Sequence, residues 1–220
     1  MIQERNRRLR LSVVAILVAG ISTALLRPAS LRAATITATI FTDPSPGLCA
    51  TSGMDGCSLR ETIIYANAHP GSTISLLPGT YTLTIPPTPP NLSPIPDPTS
   101  GSLKILVDTT ITGPATVDGG GLDSVFSIEN GAIVLMKDLT VRNGYLEIGS
   151  GGGIQNKGIL TLVHCNVMDD HAGSGGGIAN WPFGKVTLSS GSVVSGNTAR
   201  YSGGGIAGDV TVIDSTIRDN

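Results

Sequence analysis

Short runs of aliphatic and β-branched residues, each bounded by glycine, asparagine or aspartate, recur along the second half of the chain with no helical period between them. Ala132 to Leu135, Leu160 to Val163, Val186 to Ser189 and Val210 to Ile213 read as strands. Each is followed by a second run: Leu139-Thr-Val, Asn166-Val-Met, Ser192-Val-Val and Ser215-Thr-Ile. The second runs close in turn residues, Arg142-Asn143-Gly144, Asp169-Asp170-His171, Gly196-Asn197 and Asp219-Asn220. Gly-Gly-Gly-Ile occurs three times, at 151–154, 175–178 and 203–206, at intervals of 24 and 28 residues. Self-similarity at a period of roughly 20 to 50 residues marks a solenoid, in which each unit contacts only its neighbours. Three short strands per repeat predict a parallel β-helix, each strand pairing with its equivalent about 4.8 Å away.

Two other repeat architectures fit less well. A leucine-rich horseshoe needs a Leu-x-x-Leu-x-Leu frame that is missing, and no Gly-Gly-Gly-Ile copy is followed by the aspartate of a calcium-binding roll. The glycines are expected to supply corners with positive φ. Segments beginning at Ile128, Ile154 and Ile178 align Asn130, Asn156 and Asn180, which predicts a stacked amide ladder at one corner, a structural feature rather than a ligand site.

One segment has the other periodicity. Ser58-Leu59-Arg60-Glu61 has the form of a capping box, after which Leu59, Ile63 and Ala66 share a helical face with Ile64 beside it. Pro70-Gly71 ends the helix. A short amphipathic helix at the start of a solenoid would cover the core and the strand edges of the first coil. Pro86 to Pro98 contains seven prolines and cannot be a central strand. Because strand-like sequence resumes at Leu103-Lys-Ile-Leu-Val107, residues 86–100 are expected to form a surface loop leaving the coil rather than a domain linker.

Composition and charge place the chain outside the cytosol. Arg5, Arg7, Arg8 and Arg10 precede the uncharged stretch Leu11 to Leu26, and Ala33-Ala34 follows, the layout of a secretory signal peptide at residues 1–33. A stretch of sixteen uncharged residues is short for a membrane span of about 20; an uncleaved anchor is the alternative. Cleavage after Ala33 would leave eight basic and 15 acidic residues, a formal charge of −7. With 4% aromatic residues as well, nucleic acid is excluded as a partner. In an oxidising compartment Cys49 and Cys57, eight residues apart, predict a disulfide rather than a metal site, and Cys165 a buried thiol.

Cys57-Ser-Leu-Arg-Glu-Thr-Ile-Ile-Tyr-Ala-Asn67, followed by Thr73-Ile-Ser-Leu-Leu-Pro-Gly-Thr-Tyr-Thr-Leu83, resembles the N-terminal module called CSLREA after its first six residues, with Thr62 where the name has alanine. The likeness continues through Thr110-Ile-Thr-Gly113, Val117-Asp-Gly119, Val125-Phe126 and Leu139-Thr-Val-Arg-Asn-Gly144. It implies an exported bacterial right-handed parallel β-helix of the pectate-lyase-like superfamily, all-β apart from a short N-terminal capping helix. Residues 34–71 would form the disulfide loop and cap, and residues 72–220 the coils. Ser195-Gly-Asn-Thr-Ala199 with Ser202-Gly-Gly-Gly-Ile206 is similar to the repeat of polymorphic outer-membrane proteins, with Val194 in place of phenylalanine and Gly205 in place of alanine.

Lyases and hydrolases share this architecture, so enzymatic chemistry has to be sought among the residues. The best local cluster is Asp169-Asp170-His171, with Arg142 and Arg200 at the same corner of neighbouring coils. Every other repeat places a solvent-exposed turn there, which makes solvated turn residues the expectation and assigns no catalytic, cofactor or metal residue. The expected function is therefore that of a non-catalytic extracellular or cell-surface protein, in an outer-membrane setting if the second likeness holds, with polysaccharide or cell-surface glycan as partner. A carbohydrate-active enzyme is the alternative. The close at Asn220, without a capping helix or anchor, leads to the expectation of a fragment whose missing partners are further coils or an anchor of its own chain.

Overall fold

From residue 103 to residue 218 short β-segments follow one another closely, and aliphatic side chains of one turn of the chain meet their equivalents from the previous turn. The computed structural model describes residues 33–47, 49, 56–88 and 97–220. Residues 1–32 of the expected signal peptide and residues 89–96 of the proline-rich loop lie outside the described residues.

The fold is a parallel β-helix. One ladder stacks β1 (Thr35–Ile40), β3 (Ser72–Leu76), the first half of β6 (Thr109–Asp118), the first half of β8 (Ile133–Arg142), β10 (Ile159–Val163), β14 (Lys185–Ser189) and β18 (Thr211–Val212), all parallel. β2 (Cys57–Ser58) pairs with β1 at the N-terminal end. A second ladder runs through β4 (Thr80–Thr82), the second halves of β6 and β8, β11 (Asn166–Met168), β15 (Val193–Ser195) and β19 (Thr216–Arg218). A third joins β5 (Leu103–Ile105), β7 (Phe126–Ile128), β9 (Ile154–Asn156), β13 (Ile178–Asn180) and β17 (Ile206–Ala207). Between the second and third lies a short fourth face, β12 (His171–Ser174) on β16 (Thr198–Ser202), extended backward by bridges from His171 to Tyr145 and from Ser174 to Ser150. The coil that starts at β10 therefore has four short segments where the sequence pattern predicts three.

The registers build columns of like side chains. Ile36, Ile74, Ile111, Met136, Leu162 and Leu188 form one buried column, and Tyr81, Val117, Val141, Val167 and Val194 another. Full burial of each such side chain stabilises by about 1.5–3 kcal/mol, so coils that are narrow in cross-section still hold together by repetition.

The N-terminal cap forms as the capping box predicts. Helix α1 (Leu59–Ala68) begins with the Ser58 side chain accepting from the Glu61 amide while the Glu61 carboxylate accepts from the Ser58 amide at 2.9 Å. Leu59, Ile63 and Ala66 are buried against the first strands. Arg60 is 1% exposed and Asp43 6%; Arg60 Nε and Nη2 donate to the two Asp43 oxygens at 2.7 and 2.9 Å. Arg60 Nη2 also donates to the Gly101 carbonyl at 2.8 Å, and Asp43 accepts from the Thr84 and Ile85 amides. Glu61 Oε1 accepts from the Gly47 amide. The Ser-Leu-Arg-Glu motif thus ties the cap, the N-terminal strand segment and the end of the proline-rich loop into one buried network. The disulfide Cys49–Cys57 closes the preceding loop, with Cα atoms 5.4 Å apart, and Cys165 is a buried free thiol.

The predicted amide ladder is shorter than expected. Asn156 Nδ2 donates to Asn180 Oδ1 at 2.8 Å, and Asn180 Nδ2 to the Asp209 carbonyl. Asn130 is not part of it: Phe126 aligns with Ile154, so Ile128 fills the ladder position and Asn130 falls two residues later, in an exposed turn. A two-residue slip leaves the same side chains pointing inward, so the alternation of the sequence does not reveal it.

Candidate functional site

The corner that follows the second ladder is where chemistry-bearing residues collect. Its repeating geometry is a left-handed first residue in Asn143-Gly144, Asp169-Asp170, Gly196-Asn197 and Asp219-Asn220, with φ of 57°, 59°, 68° and 54°, and in the last three pairs the second residue turns its side chain inward. Asn197 Oδ1 accepts from the Asp170 amide at 3.1 Å, and its Nδ2 donates to the Val167 carbonyl at 3.0 Å. Asn220 repeats both bonds, accepting from the Asn197 amide and donating to the Val194 carbonyl. Asp170 Oδ1 accepts from the Gly144 amide at 2.7 Å. A second ladder of side chains, absent from the sequence-based expectation, therefore runs through Asp170, Asn197 and Asn220.

This ladder explains the triple glycine, whose members have three separate jobs. The first, Gly151, Gly175 or Gly203, has φ of 81°, 60° or 64°. At the second, a Cβ would sit against a neighbouring carbonyl: 2.4 Å from His171 O at Gly152 and 2.1 Å from Thr198 O at Gly176. The third is the seat of the inward side chain. A Cβ there would lie 2.4 Å from Asp170 Oδ2 at Gly153, 2.8 Å from Asn197 Nδ2 at Gly177 and 2.8 Å from Asn220 Nδ2 at Gly205. Only the first glycine has the positive-φ role that the sequence predicts for the run.

On the outer side of the same corner, Gly120, Gly121, Asn143, Gly144, Tyr145, Asp169 and His171 line a surface recess of about 450 Å³. The Tyr145 and His171 rings stack with centroids 5.1 Å apart, and His171 Nδ1 is 2.8 Å from Thr198 Oγ1. The Tyr145 hydroxyl donates to Glu147, and this bond raises the tyrosine's pKa and lowers that of the carboxylate. Arg200 Nη1 reaches the other Glu147 oxygen at 3.1 Å and its guanidinium lies 5.4 Å from the centre of the Tyr201 ring. Beneath the rim, Asp118 accepts from Arg142 Nε at 3.0 Å and from Asn143 Nδ2 at 2.8 Å. A smaller recess of about 200 Å³ lies beside Trp181 at the opposite corner, between Ala179, Asn180, Pro182 and Gly208.

The cluster singled out in the sequence is divided. Asp169 and His171 face the recess, but Asp170 is 1% exposed and points into the coil, so it is not a solvated turn residue. Arg142 is at this corner, engaged with Asp118, whereas Arg200 stands on β16 with Glu147 and does not share the register of Arg142. The left-handed backbone at Asp169 turns the chain so that the next side chain points into the coil, and that separates Asp170 from its neighbours. Among the described residues no group of three or more His, Cys, Asp or Glu could hold a metal ion. Tyr145 and Glu147 were not legible as site residues, since their only signal is proximity to the Asn143-Gly144 turn. What the recess offers chemically is a flat ring pair edged by a carboxylate, an amide and a phenol.

Comparison with family models, with curated proteins and with solved structures finds no match, so function rests on this geometry. Among the described residues no helix is long and apolar enough to cross a membrane.

Proposed function

We propose that the protein is an exported, non-catalytic surface protein that binds glycans through the Tyr145–His171 recess. The observation that carries this reading is the stacked ring pair beside Asn143, Asp169 and Glu147 on a rigid corner. An aromatic face accepts the apolar side of a sugar ring, and the flanking amide and carboxylates can bond its hydroxyls. The corner is set by backbone ladders on both sides, so little ordering is required on binding. A carbohydrate-active enzyme is the second reading, supported by Asp169 and His171 sharing one recess.

Titrating the purified chain with soluble polyuronates and neutral oligosaccharides, with parallel assays for unsaturated and reducing ends, separates the two. Saturable binding without product, weakened about tenfold or more by Tyr145→Ala and unchanged by Trp181→Ala, is the expected result. Product formation that disappears in Asp169→Asn or His171→Ala would establish the enzyme instead. Asp170→Asn, whose site is internal, does not discriminate between them.

A further inference from the structure

The inner side of the corner holds a carboxyl group that the recess does not use. Asp170 stands in the ladder position that Asn197 and Asn220 occupy in the next two coils. Each asparagine satisfies the position twice: its oxygen accepts an amide from the preceding coil, and its Nδ2 donates to a carbonyl of the second ladder, Val167 or Val194. Val141 is the residue in register with Val167 and Val194, one coil back, so its carbonyl is the acceptor that the Asp170 position faces. Asp170 meets the first requirement through the Gly144 amide. Its Oδ2, seated on Gly153, is buried and has no hydrogen-bond partner. An ionised carboxylate would aim a lone pair at a carbonyl oxygen in a dry interior, whereas a carboxylic acid would place a proton there.

We propose that Asp170 is a neutral carboxylic acid standing in for the ladder asparagine, its Oδ2 hydroxyl donating to the Val141 carbonyl, and that its ionisation loosens the corner beneath the recess. The charge environment agrees with this. The charged groups acting on Asp170 are Asp169 beside it and Asp118 in the preceding coils, both acidic. Arg142 is drawn to Asp118, and His171 is turned outward to Thr198. The groups in direct contact, Gly144, Gly153 and Asn197, are uncharged. Burial, followed in weight by the opposing Gly144 hydrogen bond and then the two acidic neighbours, raises the pKa from 3.8 to about 8.

The sign of the linkage follows. The folded state holds this proton more tightly than the unfolded chain, so its contribution is complete below 3.8 and is lost as the pH rises through about 8. Gly144 is both the partner of Asp170 and part of the recess wall, so the corner that ionisation disturbs is the one on which Tyr145 is mounted.

The test compares thermal unfolding of the full chain and of Asp170→Asn at intervals from about pH 5 to about pH 9. The amide supplies the missing donor at every pH. The variant should melt higher than the parent at the alkaline end, by roughly 5 °C or more, with the difference shrinking toward acid. Parallel pH profiles, or a variant that melts lower at alkaline pH, would overturn the proposal. Carbon NMR of the aspartate-labelled parent decides the question without a variant. One carboxyl carbon titrating far above the rest supports the neutral acid, and a full set already ionised at about pH 6 overturns it.

Discussion

Two buried aspartates, one under the N-terminal cap and one among the glycine-rich coils, are held in opposite ways. Asp43 lies under the N-terminal cap against both nitrogens of the Arg60 fork and accepts two backbone amides besides. Asp170 lies at a corner of the glycine-rich coils with one amide on one oxygen and nothing on the other. The cap is irregular, each group there occurs once, and a charged side chain can be given a dedicated partner. The corner is periodic, so what stands there must suit a position shaped for asparagine, and a carboxyl group suits it only by keeping its proton.

The largest effect is expected from removing the cation at the cap. Arg60→Ala leaves Asp43 buried without its partner and should cost about 3–5 kcal/mol in chemical denaturation. A loss below about 1 kcal/mol would mean that the pair is solvated and the contrast between the two aspartates is false.

Next in size are the glycines of the coils. Gly176→Ala drives a Cβ to 2.1 Å from Thr198 O and should cost about 1–3 kcal/mol, since backbone on both sides has to move. Gly121→Ala meets nothing within 4 Å and carries only the strain of its φ of 69°, so about 1 kcal/mol is expected. Equal losses would show that backbone conformation, rather than close approach between coils, selects the glycines.

A smaller change is expected at the helix cap. Ser58→Ala removes the acceptor for the Glu61 amide and should lower stability by about 1 kcal/mol, read in the same denaturation experiment. Surface pairs should matter least: Arg200→Ala breaks its exposed bond to Glu147 and should change stability by less than about 0.5 kcal/mol.

The parts of the fold that were legible are those encoded by neighbours in sequence. The Gly-Gly-Gly-Ile spacing and the strand-like runs predict the coils, and Ser58 with Glu61 predicts the helix start, because capping is settled within four residues. The Asn156–Asn180 contact was legible from its repeat position, but Asn130 was misplaced, since a slip of two residues costs nothing in alternation. In the candidate site, Asp169 and His171 were legible as polar residues at a recurring turn. Their separation from Asp170, and the placing of Tyr145 against His171 from the coil before, were not, because both depend on how one turn is rotated on the next.

By itself the sequence determined the class of architecture, a parallel β-helix with a helical cap, since period and local capping chemistry are properties of contiguous residues. Only the tertiary structure decided the register between coils. That register gives each glycine of the triplet its own job, joins Arg60 to Asp43, and sets Asp170 in the row of Asn197 and Asn220. The physical reason is that a solenoid makes its decisive contacts between residues about one repeat apart, where no local pattern records which atom will meet which.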